Sequence, residues 1–95
     1  MHVRVVRFTD VDPERVKSLK DRIEQSDGPP EGIPATGLQM LLDEDQRTAI
    51  VLQMFNSADD MRAAEAAFDG MDASETPGTR ASVDRCEQTL DMQMP

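Results

Sequence analysis

The chain has 95 residues, 19 of them acidic and 10 basic, for a formal charge of −9 and a pI near 4.4. That length is a single domain over residues 1–95, with a stability margin thin enough for self-association to help. The charge speaks against a nucleic-acid partner or an anionic membrane surface, since either needs clustered Lys and Arg.

The first block, His2-Val3-Arg4-Val5-Val6-Arg7-Phe8, is short and rich in β-branched residues and predicts a strand. Val3 and Val5 fall on one of its faces, Val6 and Phe8 on the other. Asp12 is a good N-cap, Pro13 suits a first helical position and Glu14 suits the positive helix end. Val16, Leu19 and Ile23 then recur at helical spacing among polar residues, predicting an amphipathic helix of about a dozen residues. Residues 26–34, with three prolines and two glycines, cannot continue it.

Two strand blocks come next, residues 36–42 and 47–55, on either side of the polar Asp43-Glu44-Asp45-Gln46, which predicts a hairpin. Ser57, with Asp60 three residues on, is a capping pair for a second helix. Met61, Ala64, Phe68 and Met71 form its apolar stripe, and Gly70 is the expected terminator. After a loop over residues 72–78, the last block (80–94) has Ala81 and Val83 at one parity and Cys86, Leu90, Met92 and Met94 at the other. That switch predicts a bulge or bend around Asp84-Arg85.

The order is β-α-β-β-α-β. It predicts an α+β, ferredoxin-like fold: a four-stranded antiparallel sheet, strands one and three central, with two helices on one face. Both sheet faces are apolar. We group Ile50, Leu52 and Met54 with Leu38, Met40 and Leu42 on a uniformly apolar face, and Gly37, Gln39, Ala49, Val51, Gln53 and Phe55 on the other. Two helices cover only one face, so the second is expected to meet a second copy of the chain. The result would be a homodimer with the sheets packed into a dimeric α+β barrel. The mixed face could line a cavity. The competing reading places Gln39 and Gln53 at a sheet edge or across the dimer interface.

Few side chains offer chemistry. The single cysteine, Cys86, permits no intrachain disulfide and points to a reduced, cytoplasmic protein. No signal peptide opens the chain, and no apolar run is long enough to span a bilayer. Cys86 has no legible histidine partner and reads as a small buried apolar side chain; His2 reads as a terminal strand residue. One Cys and one His cannot close a zinc site, and Asp43-Glu44-Asp45 reads as a solvated hairpin tip. Arg4, Arg7 and Arg85 lie in strands that can be neighbours. A guanidinium held there could anchor an acidic ligand, or pair with Glu87, Asp84 or Asp91 on adjacent strands.

The stretches 30–38, 41–46 and 49–61 resemble the dimeric α+β-barrel superfamily, and within it the antibiotic-biosynthesis-monooxygenase-like (ABM-type) proteins. That family has a Pro/Gly turn into strand two, an acidic hairpin, and an apolar strand ending in Trp-Glu-Ser. Here Phe55-Asn56-Ser57 stands at that triplet. The likeness is one of element pattern over nearly the whole chain. The family includes cofactor-free oxygenases of polyphenolic substrates and haem-degrading enzymes, with a pocket between sheet and helices that the Trp position lines. The resemblance implies that Phe55 lines such a pocket here; the residues themselves offer Gln39, Gln53, Asn56 and Arg7 as further candidate ligand contacts. The chain departs from the pattern in having no Trp and no Tyr, and no His in its second helix. Hydrogen-bonding aromatics and an axial haem ligand are therefore missing. The expected function is binding of a small apolar or aromatic ligand, without a cofactor, by a homodimer. The alternatives are a cofactor-independent monooxygenase, with Gln39, Gln53 and Asn56 stabilising developing charge, and a non-catalytic assembly module.

Overall fold

The structure, a computed structural model, describes residues 1–26, 33–69 and 76–94. The elements are β1 (His2–Thr9), α1 (Pro13–Gln25), β2 (Gly37–Asp43), β3 (Thr48–Phe55), α2 (Ala58–Asp69) and β4 (Thr79–Glu87). The strands make one sheet of order β2-β3-β1-β4, antiparallel at every pairing. Strands one and three are central, as the split βαβ order requires. Among the described residues no helix is long and apolar enough to cross a membrane.

Local chemistry accounts for the boundaries. Asp12 Oδ1 accepts from Glu14 N at 3.0 Å, and Pro13 opens α1 where its missing N–H costs nothing. At the other end Ser26 donates through both its N–H (3.1 Å) and its Oγ (2.7 Å) to the Ile23 carbonyl. Ser57 Oγ accepts from Asp60 N at 3.1 Å at the start of α2, satisfying one of the orphan donors of its first turn. Gly70 and Met71, the expected end of this helix, lie outside the described residues.

The hairpin tip is held by Asp43, which accepts from Gln46 N at 3.2 Å and from Gln46 Nε2 at 3.0 Å. Arg47 returns the chain to the sheet with φ 53°, and its carbonyl accepts from Val11 N at 3.0 Å. The start of α1 is thereby tied to the end of the hairpin.

The core lies between the sheet and the helices in two clusters. Val6, Phe8 and Ala49 pack with Val11 and with Val16 of α1. Phe55 packs with Ile33 and with Met61 and Ala64 of α2. The register Phe8↔Ala49, Val6↔Val51, Arg4↔Gln53 and His2↔Phe55 puts all these strand residues on one face, so both helices cover the same side.

Three expectations are corrected. The first is the grouping of β2 with β3. The pairs Leu42↔Ala49, Met40↔Val51 and Leu38↔Gln53 place the leucines and Met40 on the helix side. Gly37, Gln39 and Leu41 pair with Met54, Leu52 and Ile50 on the open side. The cause is the connection: Asp43 pairs with Thr48 across four turn residues, so even-numbered residues of β2 face odd-numbered ones of β3. A one-residue change in register reverses every side chain.

The second correction is the bulge. Arg7 pairs with Ser82 but Phe8 with Arg80, so the extra residue is Ala81 and not Asp84-Arg85. The third is the end of β4, at Glu87 rather than Met94. Gln88 N adds one bond to the Met1 carbonyl at 2.9 Å.

Gly78 precedes β4 at a close approach. A Cβ there would stand 2.5 Å from the Thr9 carbonyl oxygen and 3.2 Å from Val11 Cα, both backbone atoms. Gly78→Ala is expected to cost about 1–3 kcal/mol, the usual penalty of overpacking, in urea unfolding followed by circular dichroism. An unchanged midpoint would show that the two segments can separate freely.

Candidate functional site

The helix-side face is apolar at both ends and polar across its middle. Arg4 is 3% exposed on a central strand. It shares the parity of Val6 and Phe8, so the alternation that buries them buries it too. Its Nη1 donates to Gln53 Oε1 at 2.9 Å. Its Nε lies 3.7 Å from Glu65 Oε1, and its guanidinium carbon sits 4.9 Å from the centre of the Phe68 ring. Glu65 and Phe68 come from α2, one turn apart on the face that also buries Met61 and Ala64. Arg85, the register partner of Arg4 on β4, donates through Nε to the same Glu65 oxygen. One carboxylate thus bridges guanidinium groups from two strands to a helix.

This network orients Gln53. Its carbonyl oxygen is committed to Arg4, which fixes the sense of the amide. The Nε2 donor then faces away from Arg4. Beside it on β2 is Leu38, 45% exposed, with Leu42 at 36%, although both point to the helix side. Ile23 on α1 is 37% exposed. The helical layer therefore covers the sheet centre and leaves the β2 margin open, with apolar side chains and one oriented amide along it.

The candidate contacts divide between the two faces. Gln53 and Phe55 lie on the helix side, Gln53 half-buried and Phe55 fully buried. Asn56 is exposed just past the end of β3. Gln39 is exposed on the open face opposite Leu52, and Arg7 is exposed on that same face opposite Ile50. Neither Gln39 nor Arg7 reaches the space between sheet and helices, because hairpin register turns the first away and strand alternation the second. Arg7 instead borders a cleft of about 200 Å³ at the hairpin end, with Leu41, Asp43, Thr48 and Ile50.

Arg85 pairs with Glu65 of α2, a partner the sequence does not suggest. The parity of Arg4 with Val6 and Phe8 is the available signal for its burial. Its partner, on a helix far along the chain, has none. Cys86 is exposed, not buried, because it pairs with Val3 on the open face. His2 lies on the helix side, in register with Phe55 and Glu87. The two groups with nucleophile or base chemistry are on opposite faces and cannot form a dyad. Among the described residues no group of three or more His, Cys, Asp or Glu is placed to hold a metal ion.

No family model matches the sequence, and no curated protein matches it either. A solved structure does: the crystal structure of the MhuD R26S mutant with two manganese protoporphyrin IX molecules bound per active site. The match has a TM-score of 0.61 at 17% identity, over 99% of this chain and 100% of that one. At that identity the likeness is one of fold. With its β-α-β-β-α-β order and its sheet order β2-β3-β1-β4, the chain has a ferredoxin-like α+β fold, the fold of that solved structure.

Proposed function

We propose that the protein is a cytoplasmic homodimer that binds a small apolar or aromatic molecule along the open β2 margin of its helix-side face. The observation that carries this reading is Leu38, a leucine 45% exposed on the face whose neighbouring residues are the core. A ligand there would lie on Leu38 and Met40, with the Gln53 amide as its polar contact. Sites of this kind are mostly apolar, with few polar groups to fix orientation.

A porphyrin, which the MhuD structure holds, does not fit the residues present. The single histidine is His2 on β1, and α2 carries none. The space under α2 is taken by the Arg4 guanidinium, Glu65 and Phe68.

The homodimer rests on the open face. Val3, Val5, Ile50, Leu52 and Met54 share it, and no helix among the described residues covers it.

Native mass spectrometry of the purified protein, followed by titration with the fluorescent probe 8-anilinonaphthalene-1-sulfonate, tests both parts. A dimer that enhances probe fluorescence is expected, with Leu38→Asp weakening the binding about tenfold and the dimer intact. Equal enhancement by Leu38→Asp would remove the β2 margin as the site. A stoichiometric foreign protein in the spectrum would favour an assembly module.

A cofactor-independent monooxygenase is the second reading, favoured by one observation: Gln53 Nε2 is an oriented donor on the ligand side and could stabilise a developing oxyanion. Oxygen uptake with a dihydroxynaphthalene above that of an unrelated protein would support it.

A further inference from the structure

Charge is scarce on the open sheet face. Its middle is apolar, with Val5 paired to Leu52 and Val3 to Met54. Two charged side chains stand within this field. Arg7 is in register with Ile50 on β3 and Ser82 on β4, and Asp84 is in register with Val5. Both are exposed. The other charges of these strands are accounted for. Arg80, Arg85 and Glu87 pair with Phe8, Arg4 and His2 and lie on the helix side. Asp43, at the hairpin corner, has both carboxylate oxygens engaged by Gln46.

Arg7 and Asp84 are diagonal neighbours, roughly 7 Å apart. Among the described residues neither makes an ion pair or a side-chain hydrogen bond. On an exposed surface such charges need no partner. Under a second copy they do, because a charge taken out of water without a counter-charge opposes association strongly. Arg7 stands on the central strand β1, flanked by β3 and β4, so packing of two such faces removes it from water.

The register supplies the counter-charge. A two-fold axis lying between two sheets brings together positions that mirror each other across its line. Strands lie about 4.8 Å apart and rise about 3.4 Å per residue. On that grid the line that mirrors Arg7 onto Asp84 runs between Val5 and Leu52, through the middle of the apolar field. One axis therefore centres the apolar contact and sets each guanidinium opposite a carboxylate.

We propose that Arg7 of each copy pairs with Asp84 of the other, and that these two reciprocal ion pairs fix how the open faces meet. The occupant of the face is a second copy because the face carries one charge of each sign, placed to complement itself. Charges so placed set register and exclude wrong partners. The inference rests on the proposed homodimer and goes further in naming the side chains that orient it.

The test uses Arg7→Asp, Asp84→Arg, an equimolar mixture of the two, and the double variant carrying both substitutions. Both positions are exposed, so the fold is kept, which far-ultraviolet circular dichroism verifies. Sedimentation over a dilution series gives each dissociation constant, and native mass spectrometry separates the mixed dimer by mass. Each single variant brings like charges together twice, and its dimer is expected to dissociate about tenfold or more readily. The mixture sets opposite charges together at both contacts, so mixed dimers of nearly the original affinity are expected, as is recovery in the double variant. Single variants that dimerise as tightly as the original chain would overturn the pairing and leave the homodimer standing. Recovery in the double variant but not in the mixture would also overturn it, since the pair would then form within one chain. An original chain that sediments as a monomer at micromolar concentration would overturn both readings.

Discussion

Phe55→Ala is expected to lower stability by about 3–5 kcal/mol, the range for deleting a buried aromatic ring. Phe55 is 0% exposed and is the side chain on which β3, the loop residue Ile33 and α2 converge. Its neighbours Met61 and Ala64 sit on a helix and cannot follow the lost ring without moving α2, so the cavity would stay open. A single domain has only about 5–15 kcal/mol in total. For one of this length the loss corresponds to a fall in Tm of about 15 °C or more. Thermal unfolding by circular dichroism measures it, since the chain has no Trp and no Tyr. A loss below about 1 kcal/mol would mean that the site collapses around the gap. Ligand binding tested on this variant must be corrected for unfolded protein, because Phe55 underlies the strand that carries Gln53.

The second large effect belongs to the row that divides the core. Arg4→Ala removes a guanidinium contacting Gln53, Glu65 and Phe68. It leaves the Gln53 carbonyl with no donor and an opening over Phe68. Breaking one side of a buried charged pair costs about 3–5 kcal/mol. The converse is more informative. Arg4→Met/Gln53→Leu replaces both partners with apolar groups of similar length, and Glu65 keeps Arg85. The double variant is expected to recover most of the loss, since a buried polar pair replaced as a unit is often neutral or stabilising. The non-additivity should exceed about 1 kcal/mol in urea unfolding. Simple addition of the two single effects would show that Arg4 and Gln53 act separately. Because Arg4 is buried, high salt should change its contribution little.

The elements are legible in the sequence because each has local causes. Asp12-Pro13 and Ser57 start helices by hydrogen bonds made within three residues. The β-branched blocks become the central strands because both of their faces are apolar. Register is not legible. It depends on the number of turn residues between Asp43 and Thr48, and hydrophobic content alone does not reveal it when both parities of a strand are apolar. That one quantity sends Gln39 and Leu38 to opposite sides, and so decides which amide lies on the helix side. The pairing of Arg4 with Glu65 is out of reach for a different reason, since it needs the packing angle of α2 on the sheet. Arg7 and Arg4 look alike in sequence, yet alternation alone sends one to solvent and the other into the core.

The single thiol of this chain is also a built-in clock. Cys86 is exposed on the open face, one strand position from the end of β4, and no other cysteine competes with it. A coloured disulfide reagent would react at the rate at which that surface comes uncovered. If the proposed homodimer forms, the dependence of that rate on protein concentration would report how long its two sheets stay together, with no label and no substitution.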